Sequence, residues 1–367
     1  MSDDAAINAF TQRYALDEKR FGLTRQSVSR LPVVDVGPLV FGDTEAALDA
    51  TAASIREACI NSGFFYVTNY GISDAEMREV AECAIRFFNL PLLAKSKAQS
   101  PNFNDGRGYQ PMNSEKITPG YEADYKEYFD VGAEFGLPHL NAIDNGVTFW
   151  PDEADAPGFR ATMSAHTRRT LHIAQQIVRG FARALDLPHD FFDAAHAPPF
   201  FNMRASYYPP ASDVLKRDKW SCGPHTDYMS MTMLWQDEVG GLEVMNLAGQ
   251  WIEAPPVPET MVLNIADMMS IWTNDLFTSN PHRVANRTDK HRISLAHFMG
   301  PGSTTMVECL PTCQSAENPP RYPATTTTQH ITNIMAKSMD PEWMKDARVE
   351  NDAVTEQLRS FERIGGE

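Results

Sequence analysis

The sequence predicts a mainly β fold with flanking helices, in which short strands form a barrel or a sandwich. Short β-prone runs follow one another between residues 200 and 300, separated by turn signals such as Gly240-Gly241 and Ala248-Gly249. Segments with helical spacing of apolar residues lie before this region. The chain has 367 residues, of which 43% are apolar, so it can bury a large core.

The elements of the first half alternate between strand and helix. In chain order we predict a strand over 31–36, a helix over 44–62, a strand over 64–68 and a helix from Ser73 to about Asn89. Gly63 ends the first helix, and Ser73 is a residue type that caps helix N-termini. This alternating order is typical of a cap on a larger body, and we expect these elements to form one.

A long loop and a long helix follow. Residues 96–120 are rich in Pro and Gly, and a loop of this length is a candidate pocket wall. Apolar residues recur at helical spacing over 157–186. The predicted strands that follow are Phe201–Tyr208, Ser230–Trp235, Leu242–Met245, Met261–Ile265 and Arg292–Met299. The predicted organisation is an N-terminal extension (1–30), a single domain (31–335) and a C-terminal helical segment (336–367).

The composition excludes several classes of function. The formal net charge is −16, so no excess of positive charge is available to bind a phosphate backbone, and we expect no nucleic-acid partner. No stretch approaches the ~20 apolar residues of a membrane span, and no signal peptide is visible. The five cysteines are odd in number and mostly far apart, which favours a reducing compartment. We expect a cytoplasmic protein without a membrane partner.

A candidate metal site lies in the strand-rich region. His225 and Asp227 are two residues apart, so in an extended chain their side chains point to the same face. His282 follows 55 residues later and can supply a third ligand from a neighbouring strand. Two imidazoles and one carboxylate, with the other coordination positions open, favour iron(II) in an oxygenase.

A candidate anion site lies next to it in the sequence. Arg292 and Ser294, ten residues after His282, share one face of a predicted strand. A guanidinium offers two parallel N–H groups to a carboxylate, and a hydroxyl adds a further hydrogen bond. In the strand 201–208, Asn202, Arg204, Ser206 and Tyr208 share the polar face, as expected for a strand whose inner face meets a polar ligand.

These motifs together resemble the isopenicillin N synthase-like family of iron(II)/2-oxoglutarate-dependent dioxygenases. The resemblance covers roughly residues 30–335. The segments that carry it are His225-Thr226-Asp227, His282, Arg292-Ile293-Ser294, Tyr207-Tyr208-Pro209-Pro210, Gly240-Gly241-Leu242, Asn264–Val284, Leu31–Val36 and Gly63–Gly71.

The resemblance implies a fold, a reaction and a set of roles. The fold is a double-stranded β-helix (jelly-roll) core wrapped by helices. The reaction oxidises a small-molecule substrate, by hydroxylation, with O2 and 2-oxoglutarate consumed and succinate and CO2 released. His225, Asp227 and His282 would bind Fe(II). Arg292, Ser294 and Tyr208 would bind 2-oxoglutarate.

Six further residues are candidates for contact with the prime substrate. Phe298 continues the face of Arg292, Tyr228 follows the ligand pair, and Arg204 shares the inner face with Tyr208. Arg204 could equally form a structural salt bridge, and Phe298 could equally pack in the core. Glu115, Lys116 and Thr118 lie in the long loop, where the resemblance places substrate contacts. Strand alternation puts His291 and His297 outside the iron pocket.

Three alternatives remain open at this point. A relative of the same fold could oxidise its substrate at iron without 2-oxoglutarate, by ring closure or desaturation, because the Arg-x-Ser pair can also hold a substrate carboxylate. An ethylene-forming-type enzyme would cleave 2-oxoglutarate itself. A metal-free binding barrel is the remote alternative, which the three metal-binding residue types disfavour.

Overall fold

Two facing β-sheets form the centre of the computed structural model, which describes residues 3–15, 21–100, 106–118, 122–137, 140, 144–211 and 220–338. The first strands in chain order are β1 (Val33–Asp35), β2 (Phe64–Thr68), β3 (Tyr109–Gln110), β4 (Glu127–Gly132), β5 (Phe200–Tyr208), β6 (Cys222–His225) and β7 (Met231–Gln236). The later ones are β8 (Leu242–Met245), β9 (Trp251–Glu253), β10 (Met261–Ile265), β11 (His282–Val284), β12 (Arg292–Gly300), β13 (Met306–Val307) and β14 (Thr325–Thr326).

Helices surround these strands. They are α1 (Asp3–Ala15), α2 (Gly37–Phe41), α3 (Glu45–Asn61), α4 (Asp74–Phe88), α5 (Leu92–Ser96), α6 (Phe159–Ala184), α7 (Asp267–Trp272) and α8 (Thr327–Ser338), with short 3-10 turns at Ala194–His196 and Pro311–Cys313. Within the described ranges, none of these helices is long and apolar enough to cross a membrane.

The large sheet has eight strands in the order β1-β2-β10-β7-β12-β5-β4-β3, and the small sheet has four in the order β6-β11-β8-β9. Neighbouring strands are antiparallel except β1 and β2. This arrangement of two facing sheets with flanking helices agrees with the predicted jelly-roll core.

The two faces of the large sheet have different surroundings. Its outer face packs on α3, α4 and α6 in an apolar core that includes Ile55, Phe87 and Phe181. A second apolar cluster lies between the sheets and joins Tyr66 of β2 to Leu242 of β8. The helical layer therefore supports the large sheet from outside, and its inner face is left to face the small sheet.

Most of the predicted elements are confirmed. The helix predicted from Ser73 begins at Asp74, and the hydroxyl of Ser73 accepts a hydrogen bond from the backbone N–H of Glu76 in a capping box. The helix over 157–186 and the five predicted strands of the region 200–300 are present within one or two residues. Within this predicted loop, the described residues 97–100 and 106–118 are mostly irregular and include the two-residue β3.

The sequence predicts that the first two strands form part of a separate cap, but in the structure they belong to the large sheet. β2 pairs with β10 and continues the large sheet, and β1 pairs with β2 at its edge. The reason is visible in the run Phe64–Val67, all of which is buried. A strand that is apolar on both faces has to lie inside a sheet that is covered on both sides.

The structure describes part of each predicted terminal segment. In α1, which lies in the predicted N-terminal extension, Phe10 is buried against Met245 of β8, and Arg13 forms an ion pair with Asp275. At the C-terminal end, α8 includes the first three residues of the predicted C-terminal helical segment, 336–338. Residues 339–367, which hold most of that segment, lie outside the described residues.

The turn at Gly63 allows a close approach that a larger residue would prevent. Gly63 has a φ of +66°, and a Cβ at this position would lie 2.2 Å from the carbonyl oxygen of Thr278. The segment from Thr278 leads into β11. We therefore expect Gly63→Ala to destabilise the fold, because the left-handed backbone costs an alanine about 1–2 kcal/mol and the collision with a backbone atom adds to it.

Gly22 provides a matched control for this prediction. It has a similar φ of +63°, and a Cβ there would meet no atom of the described residues within 4 Å. Chemical denaturation of both variants separates the two effects, since Gly22→Ala carries the conformational cost alone. Equal losses of unfolding free energy in the two variants would contradict the close approach at Thr278.

Candidate active site

A cavity of about 1210 Å³ lies between the two sheets. The inner faces of β5 and β12, the metal-ligand candidates and the segment 113–117 all contribute to its wall. Other wall residues are Phe64, Tyr128, Met229, Leu234, Val262, Asn264 and Ile331. The wall thus combines the polar faces predicted from sequence with elements that are distant in the chain.

Three metal-ligand candidates converge at one point of this wall. His225 on β6 and His282 on β11 are direct partners across the two strands, and their ring centroids are 4.1 Å apart. The Nε2 atoms of His225 and His282 lie 3.7 and 3.8 Å from the same oxygen, Oδ1 of Asp227. One ligand atom from each residue lies within 4.8 Å of the others, which is the spacing of donors around a single ion.

The convergence of Asp227 has a different cause from the one predicted. β6 ends at His225, so strand alternation does not orient the carboxylate. Instead, Oδ2 of Asp227 accepts hydrogen bonds from Thr232 Oγ1 and Asn264 Nδ2, and the backbone carbonyl of Asp227 accepts from the N–H of Asp267. These contacts leave Oδ1 to face the imidazoles.

Hydrogen bonds orient the imidazole of His225 and the carboxylate of Asp227 toward one point. Nδ1 of His225 donates to the carbonyl of Gly223 at 2.8 Å, so in the neutral ring the lone pair is on Nε2, toward Asp227. Burial alone would raise the pKa of Asp227, but His282 and His225 outweigh it and lower that pKa. A carboxylate and two imidazoles are the donor set that iron(II) accepts, and outer hydrogen bonds hold His225 and Asp227 in place.

Arg292 is a buried cation with a spare donor. Its side chain is fully buried on β12, where Nη2 donates to Gln236 Oε1 at 3.1 Å and Nε donates to the carbonyl of Gly240. Nη1 has no hydrogen-bond partner among the described residues. Because a buried charge with an unused N–H is costly, the site fits a carboxylate ligand at this position.

Two further residues of the predicted 2-oxoglutarate site lie beside Arg292. Tyr208 is its direct partner across β5 and β12, and the guanidinium carbon lies 4.8 Å from the centre of the phenol ring. Ser294 lies opposite Ser206, and both serines are buried in the cavity wall.

Arg204 forms a structural salt bridge, which is one of the two roles that the sequence allows for it. Its Nε and Nη2 donate to the two oxygens of Asp130 at 2.8 and 2.9 Å, and Nη1 donates to Glu115 at 3.2 Å. The guanidinium also lies over the ring of Tyr128 at 3.7 Å. Arg204 still lines the cavity, but its charge is already compensated.

Four of the remaining substrate candidates line the cavity, and one does not. Tyr228, Phe298 and Lys116 line the cavity, as does Glu115. The hydroxyl of Thr118, which is not among the cavity-lining residues, donates to the carbonyl of Pro224 at 2.7 Å and so supports the strand β6. Burial, followed by the nearby carboxylates, raises the pKa of Tyr228, so its phenol stays protonated and can donate.

The two histidines predicted to lie outside the iron pocket do so. His297 is fully buried on the outer face of β12, where its Nε2 lies 2.9 Å from Nε2 of His166 on α6. His291 is exposed and stacks on Tyr207 with ring centroids 5.5 Å apart. The alternation of β12 therefore turns His297 away from Arg292 and Ser294, and His291 lies just before this strand.

Sequence reasoning missed a buried ionic cluster that supports the ligand strand. Lys126 is buried, and its Nζ lies 2.8 Å from Glu115 Oε2, 3.1 Å from Asp124 Oδ2 and 3.1 Å from Cys222 Sγ. Asp124 Oδ1 in turn accepts from the N–H of Gly223 at 3.0 Å. The cluster thereby ties the long loop, through Glu115, to the strand that carries His225.

The charge of Lys126 is maintained by its neighbours. Burial alone would lower its pKa, but Asp124, Cys222 and Glu115 outweigh burial and raise it. The signal in the sequence was the run Tyr125–Phe129, in which charged and aromatic residues mix. That pattern could have indicated a strand with buried charges, and the structure has β4 there.

Comparison with known protein families gives two matches. Residues 199–301 match the family described as the 2OG-Fe(II) oxygenase superfamily. Residues 31–153 match the family described as non-haem dioxygenase in morphine synthesis N-terminal. The first match contains all three metal-ligand candidates and the Arg-x-Ser pair.

The chain is also similar to individual proteins. Homoarginine-6-hydroxylase 2-ODD-C23 of Glycine max is 35% identical over 305 residues, which cover 79% of this chain and 91% of that protein. Among solved structures, a full-length Neurospora crassa protein in complex with alpha-KG and thymine has a TM-score of 0.74 at 27% identity, over 84% of this chain and 96% of that one. JOX2 in complex with 2OG, Fe and JA has a TM-score of 0.70 at 26% identity, over 93% and 96%.

The buried cluster around Lys126 leads to a prediction about stability. We expect Lys126→Met to lower the unfolding free energy by about 3–5 kcal/mol, because it leaves the carboxylates of Asp124 and Glu115 buried without a cation. Urea denaturation monitored by circular dichroism measures this change.

Lys97 is the matched control for this substitution. It also pairs with two carboxylates, Asp152 at 2.7 Å and Asp155 at 2.8 Å, but its side chain is 49% exposed. Because water solvates exposed carboxylates, Lys97→Met should leave stability nearly unchanged. Similar effects of the two substitutions would argue against a buried cluster.

Proposed function

The chain belongs to the 2OG-Fe(II) oxygenase superfamily, and from this premise we propose that His225, Asp227 and His282 bind the Fe(II) of the enzyme. The protein is a 2-oxoglutarate-dependent dioxygenase, an oxidoreductase that uses Fe(II), 2-oxoglutarate and O2. The observation that carries the residue assignment is the convergence of the two Nε2 atoms on Oδ1 of Asp227, at 3.7 and 3.8 Å.

Hydrogen bonds orient two of the three ligands, His225 and Asp227. Gly223 fixes the tautomer of His225, so its Nε2 lone pair is directed at the metal. Thr232 and Asn264 hold Oδ2 of Asp227, so Oδ1 is the coordinating oxygen. Two neutral imidazoles and one carboxylate leave a bound Fe(II) with a net positive charge, which favours the dianion 2-oxoglutarate.

We propose that Arg292, Ser294 and Tyr208 bind the carboxylate of 2-oxoglutarate that lies away from the metal. Nη1 of Arg292 donates to a carboxylate oxygen, the hydroxyls of Ser294 and Tyr208 add hydrogen bonds, and Gln236 keeps the guanidinium in place. When bound, Fe(II) and 2-oxoglutarate supply the oxidation, in which the keto acid and O2 yield succinate and CO2 and the substrate gains an oxygen atom.

The prime substrate occupies the rest of the cavity. We propose a small molecule that is hydroxylated and that contacts Tyr228 and Phe298 near the metal, with Glu115, Lys116 and Arg204 behind them. Since the charge of Arg204 is compensated by Asp130 and Glu115, Arg204 shapes and orders this wall. We assign the reaction to one domain over residues 31–335, and propose the cytoplasm as its location.

The metal assignment is tested by anaerobic Fe(II) titration. We expect His225→Ala and Asp227→Ala each to weaken Fe(II) binding by more than about 100-fold, since removing a direct ligand exceeds the 10- to 100-fold effect of outer partners. Succinate formation should disappear in both variants, and thermal unfolding should show that they remain folded.

His291→Ala is the control for the metal titration. His291 is exposed just before β12 of the large sheet, where it stacks on Tyr207, whereas His225 and His282 lie on the small sheet. This variant should bind Fe(II) as the wild type does. Full Fe(II) binding by His225→Ala would remove the basis of the assignment.

The 2-oxoglutarate assignment is tested at Arg292. We expect Arg292→Met to raise the 2-oxoglutarate concentration for half-maximal succinate formation roughly 10- to 150-fold, the equivalent of about 1.5–3 kcal/mol for a hydrogen bond to a charged group. Arg183→Met is the control, because Arg183 pairs with Glu45 and Asp49 on the helical layer. An unchanged 2-oxoglutarate requirement in Arg292→Met would exclude this role.

A further inference from the structure

The cavity has a second polar end, away from Arg292. On the paired strands β5 and β12, Arg292 faces Tyr208 at one end, and Phe298 faces Asn202 toward the other. Six residues separate Arg292 from Phe298, so these positions are about 20 Å apart at ~3.3 Å per residue. The end marked by Asn202 therefore lies beyond the reach of a keto acid held at Arg292.

Asn202 presents a free acceptor at this end. It is 5% exposed and lines the cavity, and its Nδ2 donates to Asp130 Oδ1 at 3.0 Å. Because a carboxylate can only accept hydrogen bonds, this contact fixes which way the amide points. Its Oδ1 has no hydrogen-bond partner among the described residues.

Thr327 presents an unused hydroxyl in the same cavity. It is the first residue of α8, it is fully buried, and its Oγ1 has no hydrogen-bond partner in the described part of the chain. The helix start is held in place, since Thr328 Oγ1 donates to the carbonyl of Ser303 at 2.9 Å. Ser303 Oγ donates to Asp144 Oδ2 at 2.7 Å, and Ser303 and Asp144 also line the cavity.

The charged side chains near Asn202 already lie close to side chains of opposite charge. Asp130 is held by Arg204, which also meets Glu115. Arg107 is buried within electrostatic reach of Asp130 and Asp144. A charged ligand group would therefore find no counter-ion in excess, while an uncharged hydrogen-bonding group would find an acceptor and a hydroxyl without partners.

From these contacts we propose that Asn202 and Thr327 form a subsite for an uncharged N–H-bearing group of the prime substrate, such as an amide, a lactam or a ureide. The N–H donates to Asn202 Oδ1, and the hydroxyl of Thr327 donates to the carbonyl that accompanies the N–H in these groups. The assignment rests on the proposed function, because the ligand bound here is the substrate that extends toward the metal.

Binding of small uncharged probes tests this subsite. The probes are 2-piperidinone, hydantoin and uracil, each with its fully N-methylated twin, together with methylguanidinium and acetate. Equilibrium dialysis against the anaerobic protein with Fe(II) and 2-oxoglutarate should show at least tenfold weaker binding of each N-methylated twin, because the buried amide oxygen then loses its donor. Equal binding of the twins, preference for either ion, or no binding of the N–H probes would overturn the proposal.

Variants locate the effect. Thr327→Val removes a hydroxyl that has no partner in the described part of the protein, so it should leave stability unchanged and weaken the N–H probes by at least tenfold. Asn202→Leu should abolish the difference between the twins, and Thr327→Val keeps the test valid if Asn202→Leu fails to fold. Thr328→Val is the control, since that hydroxyl is already bound to Ser303. An unchanged affinity in Thr327→Val would remove Thr327 from the subsite.

The same dialysis separates this proposal from the metal assignment. In His225→Ala without Fe(II), the preference for N–H probes should persist, because Asn202 and Thr327 make no contact with the metal ligands. Loss of Fe(II) binding with the preference intact supports both proposals. Loss of the preference in the wild type, with Fe(II) binding intact, overturns the subsite alone.

Discussion

The pairing of β6 with β11 is the constraint on which the active site depends. It places His225 directly opposite His282, with ring centroids 4.1 Å apart, although the two histidines are 57 positions apart in the chain. A shift of one residue in this register would turn one imidazole to the other face of the sheet. Both strands are short, so their register needs support from outside the small sheet.

That support comes from buried polar groups near β6. Asp124 accepts from the N–H of Gly223, Thr118 donates to Pro224, and Lys126 neutralises Asp124. A buried ion pair contributes little to stability compared with apolar residues of the same volume. Here the hydrogen bonds of Asp124 and Thr118 reach the N–H of Gly223 and the carbonyl of Pro224 in β6, and so they define the position of this strand.

Local patterns predicted the parts of this fold that local physics determines. The alternation in β5 predicted the polar inner face, Ser73 predicted the start of α4, and the Arg292–Ser294 spacing predicted the buried cation in the cavity wall. Contacts between distant segments could not be found in this way. Lys126 meets Cys222 across 96 residues, and no spacing within 121–135 indicates that partner.

The same distinction explains an error of placement. β2 was expected in a cap because its neighbours in sequence are helices, but burial on both faces makes it an inner strand of the large sheet. In the same way, the loop position of Thr118 gave no sign that its hydroxyl bonds to the backbone of β6. A segment's neighbours in the sequence therefore indicate its place in the fold less well than the surfaces against which it packs.

The inner face of the large sheet divides the cavity by the kind of chemistry each end can bind. The end at Arg292 keeps a cation with an unused N–H, so it favours a carboxylate. At the end marked by Asn202, each arginine faces carboxylates, and the polar atoms left over belong to a neutral amide and a hydroxyl. A charged keto acid and an uncharged part of a substrate can therefore bind in one cavity without competing, because each lacks a complementary partner at the other end.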